Sequence, residues 1–143
     1  MDDKGPESSN IKVAVSKVIK ELKERKTGKL TVTLSSPMRT MVMLGNTETI
    51  NCAVNCGSGA DLIDEHFLSS CRINHLNAGK YKGPQIEAVS GEALHITKVM
   101  RVAMEIGRRR LHATFLVARN LPFDVLLGNP FLNEHGTIIN MHN

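Results

Sequence analysis

Asn51-Cys52-Ala53-Val54-Asn55-Cys56-Gly57-Ser58-Gly59-Ala60-Asp61-Leu62-Ile63 is the stretch on which the reading of this chain turns. Ala53-Val54 closes an apolar run, Asn55 to Gly59 is a cluster of small and polar residues, and the aliphatic pair Leu62-Ile63 follows. Glycine at 57 lets the backbone come close to its surroundings and take up a strained turn. Alone, this is an ordinary strand, a tight loop and a return into apolar sequence. The flanking segments decide what kind of loop it is.

Upstream of it, Leu30-Thr31-Val32-Thr33-Leu34 alternates with the period of a strand, and Ser35-Ser36-Pro37 breaks the pattern. Met38 to Leu44 and Thr47 to Val54 read as two strands of a hairpin joined at Gly45-Asn46. Downstream, Asp61 to Cys71 is expected to hold a short helical turn, and Asn77 to Pro84 a loop. Gln85 to Val89 and Ala93 to Thr97 form a strand–turn–strand unit about Ser90-Gly91. Val99 to Ile106 and Leu111 to Ala118 flank a turn at Gly107. Phe123 to Leu127 is a buried-type strand, Asn129 to Glu134 a short helix, and Thr137 to Met141 a terminal strand. Many short strands with one late helix argue for an all-β, barrel-like domain.

The first 28 residues differ from the rest. Residues 1–10 read as a polar leader, and Ile11, Val15, Val18, Ile19 and Leu22 then recur at helical spacing. Asn10 is a plausible N-cap, and Thr27-Gly28 ends the pattern. The chain therefore divides into a leader with a basic amphipathic helix (1–28) and a β domain (29–143).

Composition bounds the function. The 143 residues suffice for one domain, and the core must be aliphatic, with no Trp, one Tyr and four Phe. No apolar run approaches the roughly 20 residues of a membrane span. Three cysteines without Cys-x-x-Cys spacing, and six histidines without metal-ligand spacing, point to no disulfide framework, no metal and no cofactor. That cysteine usage suits a reducing, intracellular setting. The net charge of +4 is dispersed, and Arg108-Arg109-Arg110 is read as a solvated hairpin tip. No aromatic platform accompanies it, so nucleic acid is not an expected partner.

With these segments in order, the chain resembles the retropepsin-like aspartic proteases, and among them those of Gypsy-type LTR retroelements and their domesticated descendants. Three pieces carry the resemblance over about residues 38–141. Asn55-Cys56-Gly57-Ser58 is similar to the family's Asp-Thr/Ser-Gly-Ala/Ser loop. Ala88-Val89-Ser90-Gly91-Glu92 is similar to its flap, the hairpin that closes over bound peptide. Phe123-Asp124-Val125-Leu126-Leu127-Gly128-Asn129-Pro130-Phe131-Leu132, with His135-Gly136 and Ile138-Ile139, is similar to its Asp-Val-Ile-Leu-Gly-x-Asp-Phe-Leu ending.

The resemblance implies a single-lobed acid-protease barrel with one short C-terminal helix. Asn55, Cys56 and Gly57 would stand at the catalytic positions. Ser58 with Ala88, Val89, Ser90 and Gly91 would meet the peptide, and Leu126, Leu127 and Gly128 would support the loop from beneath. One loop is half a site, so the resemblance also implies a C2 homodimer acting on peptide or polyprotein, with Thr137 to Met141 available for strand pairing between subunits.

Asn55 changes what such a site could do. Aspartic proteolysis uses two facing carboxylates that share a proton, one acting as base. An amide cannot be that base. Asp61, Asp64 and Asp124 do not fall at the motif position, and Cys56 replaces a hydroxyl with a weaker donor. Two readings follow: a protease domain whose catalytic aspartate has been replaced, or a natural pseudoprotease that binds peptide or scaffolds an assembly. A weaker third, a nucleic-acid-associated fragment, rests on the basic helix and the arginines alone.

Overall fold

The computed structural model describes residues 29–34, 36, 38–73 and 77–140. The amphipathic pattern between Ile11 and Arg25 lies outside them. In chain order the strands are β1 (Lys29–Val32), β2 (Arg39–Leu44), β3 (Thr47–Val54) and β4 (Leu62–Asp64), then helix α1 (Glu65–Ser70). After these come β5 (Ala78–Gly79), β6 (Gln85–Ala88), β7 (Ile96–Ile106), β8 (Arg109–Ala118), β9 (Val125–Leu127) and helix α2 (Asn129–Asn140).

Strands β2-β3-β9-β4-β8-β7 are hydrogen-bonded in that order, and β2 also pairs with β7, which closes a six-stranded barrel. β5 extends the β7 edge, and β1 and β6 form a separate parallel pair. Closure leaves no edge within the ring. Two long strands dominate it: β7 and β8 run antiparallel from Ile96↔Ala118 to Ile106↔Arg109. Their turn uses Gly107 at φ 61°, where a side chain would be strained. Only Arg108 sits in that turn with Gly107, since Arg109 and Arg110 already belong to β8, and all three are exposed.

The period of two explains why the strands around the Asn55 loop are apolar on both faces. Cys52 and Val54 of β3, Ile63 of β4, Phe115 and Val117 of β8, and Val125 and Leu127 of β9 point into the barrel core. Their alternates, Ala53, Leu62, Leu116 and Leu126, point the other way into a second cluster. That cluster is covered by Leu30 and Val32 of β1 and Ile86 of β6. Burying a Leu and a Val contributes about 3–6 kcal/mol together, as an upper estimate.

α1 begins because Asp64 caps it. One carboxylate oxygen of Asp64 accepts from Phe67 N at 3.2 Å, and the other accepts from Leu121 N at 3.1 Å. The helix buries Phe67 and Leu68 against the barrel. Sequence reading placed a helical turn in this region but not β4, whose three residues are too few to show a period.

Two expectations are corrected. Ala78–Gly79, within the segment read as loop, forms the short strand β5. Thr137–Asn140, read as the start of a terminal strand, continues α2 beyond a non-helical residue at His135 (φ −130°, ψ 16°). β-branched residues cost only tenths of a kcal/mol each in a helix, so Thr137, Ile138 and Ile139 do not exclude helical structure beyond the kink. Strand pairing between subunits through this segment is withdrawn with that expectation. Among the described residues no helix is long and apolar enough to cross a membrane, and no group of three or more His, Cys, Asp or Glu could hold a metal.

Candidate active site

The chain leaves β3 at Val54 and turns sharply. Asn55 N donates to Leu127 O at 3.0 Å, which ties the loop to the end of β9. Asn55 Oδ1 accepts from Gly57 N at 2.7 Å, and Asn55 O accepts from Ser58 N at 3.1 Å. The side-chain amide thus turns its oxygen inward onto its own loop, as an Asx turn does. Gly57 is not in a left-handed conformation, so strain does not account for it. A Cβ there would come within 3.1 Å of Asn55 Oδ1, and close approach is the reason for glycine. Asn55 is half-buried, and Cys56 and Gly57 are exposed.

Ser58 is fully buried. Its hydroxyl donates to Ala60 O at 3.0 Å, and its carbonyl accepts from Asn129 N at 2.8 Å. With no exposed surface, Ser58 fixes the loop rather than presenting itself to a peptide. Leu126 and Leu127 lie wholly buried beneath. Gly128 admits nothing larger, because a Cβ would sit 2.5 Å from Ala60 O and 2.8 Å from Ser58 O. Asn55, Gly57, Ser58, Leu127 and Gly128 are therefore one hydrogen-bonded and packed unit.

Asp61, weighed from the sequence only as a substitute for the missing acid, has a structural role that the sequence reading missed. Its carboxylate is buried, and Oδ1 accepts from Gly128 N at 2.7 Å and Phe131 N at 3.2 Å. Leu132 N bonds to Gly128 O at 3.0 Å, so Gly128 is the N-cap of α2. Asp61 thereby satisfies the N-cap and third-residue donors, the task a capping side chain performs locally. Burial pushes its carboxyl up to about 7, opposed by those N–H groups and reinforced by Glu134. The signal in sequence was an acid set in the apolar run Ala60-Asp61-Leu62-Ile63.

None of Asp61, Asp64 and Asp124 takes over from Asn55. Asp61 is turned onto α2, Asp64 onto α1 and Leu121, and Asp124 accepts from Thr49 Oγ1 at 2.6 Å.

The segment about Ser90-Gly91, expected to be a flap, folds back on itself. Ala88 N donates to Glu92 O at 2.8 Å, Gly91 N to Ala88 O at 2.8 Å, and Leu94 N to Ile86 O at 2.9 Å. Gly91 takes φ 95°, with no atom within 4 Å of the place a Cβ would occupy. Ala88 is buried, whereas Val89, Ser90 and Gly91 are exposed, Val89 at 68%. The loop and the hairpin share a neighbour. Both bond to β1: Gly59 N donates to Thr31 O at 3.0 Å, and Val89 N donates to Val32 O at 2.9 Å.

Solved structures with this fold include the retroviral protease-like domain of Ddi1 from Leishmania major and EIAV protease complexed with the inhibitor HBY-793. The first has a TM-score of 0.52 and 9% identity over 71% of this chain and 77% of that one. The second has a TM-score of 0.52 and 21% identity over 72% of this chain and 91% of that one. The fold is thus the retropepsin-like all-β barrel with a short C-terminal helix. No protein-family model and no curated protein sequence matches the chain.

Proposed function

We propose that this chain is a retropepsin-type domain that binds extended peptide in a two-subunit cleft and, with Asn55 in place, does not hydrolyse it. The observation that carries the reading is the geometry of Asn55. Its backbone is held by Leu127, and its Oδ1 takes the Gly57 N–H at 2.7 Å. A carboxylate oxygen would accept that same bond, so aspartate fits the position without rearrangement. What the amide lacks is the second ionisable oxygen that deprotonates an attacking water. The tied loop, the Ser90-Gly91 turn and the packed Leu126-Leu127-Gly128 segment support this reading.

Homodimerisation belongs to this proposal, because one chain supplies one loop. So does kinship with Gypsy-type LTR retroelement proteases or a domesticated descendant, which rests on the three sequence motifs. Three free cysteines fit a reducing, intracellular location. Nucleic acid is not part of the reading.

The test is Asn55→Asp. The variant is expected to cleave an unstructured protein at pH 4–7 and to be blocked by a statine-type inhibitor, while the Asn55 chain does not cut. A folded, dimeric Asn55→Asp chain without cleavage would show that the cleft serves binding alone. A monomeric mass across micromolar to millimolar concentrations would remove the two-subunit site.

A further inference from the structure

β1 lies outside the barrel sheet and touches both halves of the candidate site. Successive carbonyls of a strand point to opposite sides, and here Thr31 O receives Gly59 N from the Asn55 loop while Val32 O receives Val89 N from the flap. Along its other contacts β1 pairs in parallel with the flap strand β6, from Lys29↔Gln85 to Val32↔Ala88. Side chains alternate likewise. Leu30 and Val32 are 5% and 0% exposed, while Thr31 between them is exposed. The two aliphatics enter the cluster formed by Ala60, Leu62, Ile86 and Leu126, residues of the loop, β4, the flap strand and the buttress. Thr33 follows toward the loop, with its Oγ1 3.9 Å from the point a Gly57 Cβ would occupy.

We propose that Lys29–Leu34 is a built-in occupant of the peptide groove, an autoinhibitory strand held as a bound peptide would be held. This rests on the peptide-cleft reading above and deepens it in two ways. It names the ligand class: an extended segment with aliphatic side chains at alternate positions and small polar ones between, pairing in parallel with β6. It also names the regulation: an external peptide binds only as β1 leaves. The groove is made of main-chain donors on both walls and aliphatic side chains on the floor. It therefore selects backbone conformation and apolar spacing, with no charged group needed for recognition. A tethered competitor acts at an effective concentration near the millimolar range, which is how a modest contact excludes a free peptide.

The experiment uses the full Asn55 chain with a recognition sequence for an exogenous protease inserted after Leu34. Once cut, the chain is incubated with fluorescein-labelled Lys-Leu-Thr-Val-Thr-Leu, the sequence of residues 29–34. The expected result is exchange of the N-terminal piece for the labelled peptide, with the β circular dichroism retained. Binding should be at least ~10-fold tighter than to the uncut chain, and a peptide carrying Leu→Asp and Val→Asp at the positions of Leu30 and Val32 should not bind. Val32→Asp in the uncut chain, checked by the same dichroism, should raise affinity for the wild-type peptide in the same direction.

A cut chain that unfolds when the piece departs, or that releases it only in denaturant, would make β1 a core strand and overturn the proposal. Equal binding by cut and uncut chains would place the peptide elsewhere and overturn it too. Because no hydrolysis is read, these outcomes stand apart from the Asn55→Asp test. Cleavage by that variant alongside failed exchange would keep the cleft and discard only its built-in occupant.

Discussion

At the level of single residues, the buried Asp61 ties the end of the Asn55 loop to the start of α2. Its carboxylate is driven up from 3.8 to about 7 by burial, against the pull of the Gly128 and Phe131 N–H groups, with Glu134 adding to the rise. The other titratable groups around it are the Cys52 thiol from β3 and, near that thiol, Arg39 and Asp124; Asp64 on β4 is spent on α1. The sign follows from linkage. Between pH about 4 and about 7 the folded chain keeps a proton that the unfolded chain has released, so stability falls as pH rises through that window and levels off above it. Asp61→Asn retains an oxygen for both N–H groups and carries no charge. Compared with the wild type in urea titrations at pH 4.5, 6 and 7.5, it is expected to lose that slope. Asp61→Leu leaves two buried donors unpaired, and the expected cost is about 2–4 kcal/mol at pH 4.5, shrinking as pH rises because the wild type alone loses stability through the window. Equal slopes in the wild type and Asp61→Asn would mean that the carboxyl titrates at its ordinary value.

Among the elements, the β2–β3 hairpin feeds the Asn55 loop, and its turn is coupled to the segment after α1. Gly45 has φ 60°, and a Cβ there would lie 2.5 Å from Arg72 O. Gly45→Ala therefore combines a left-handed penalty with a backbone clash, and about 2–4 kcal/mol of destabilisation is expected, read as a shift in urea midpoint without a change in slope. This hairpin was legible in sequence because Gly45-Asn46 separates two runs of clear length. The loop and the Gly128 ending were legible because small residues must stand where backbones approach, and the Ser90-Gly91 turn because its φ of 95° favours glycine. β4 was hidden because three residues carry no period. α2 was cut short because Thr137-Ile138-Ile139 has strand propensity, and so weak a propensity does not exclude helical structure beyond the kink. The place of β1 was beyond reach. Alternation from Leu30 to Leu34 announces a strand but not which walls it will lie between, and that placement separates an ordinary barrel edge from an occupied groove.

At the scale of the whole molecule, the three cysteines report on folding and on assembly separately. Cys56 is exposed on the loop, whereas Cys52 and Cys71 are buried. Burial is the main cause holding both buried thiols above the ordinary range, and the thiolate is the reactive form. A thiol-reactive dye at pH 8 is therefore expected to modify one cysteine quickly. The other two should react only as fast as the barrel opens, a rate set by global stability. Asp61→Leu and Gly45→Ala should speed those two and leave Cys56 unchanged. The proposed dimer would add a second dependence. In a C2 pair the same loop meets itself at the axis, so Cys56 should become protected as chain concentration rises through the dissociation constant, while Cys52 and Cys71 keep their rates. Measuring labelling site by site across a concentration series, beside sedimentation of the same samples, reads both at once. If sedimentation shows dimer and Cys56 remains as reactive as in dilute solution, the subunits meet through some other face and the Asn55 loops do not share a cleft.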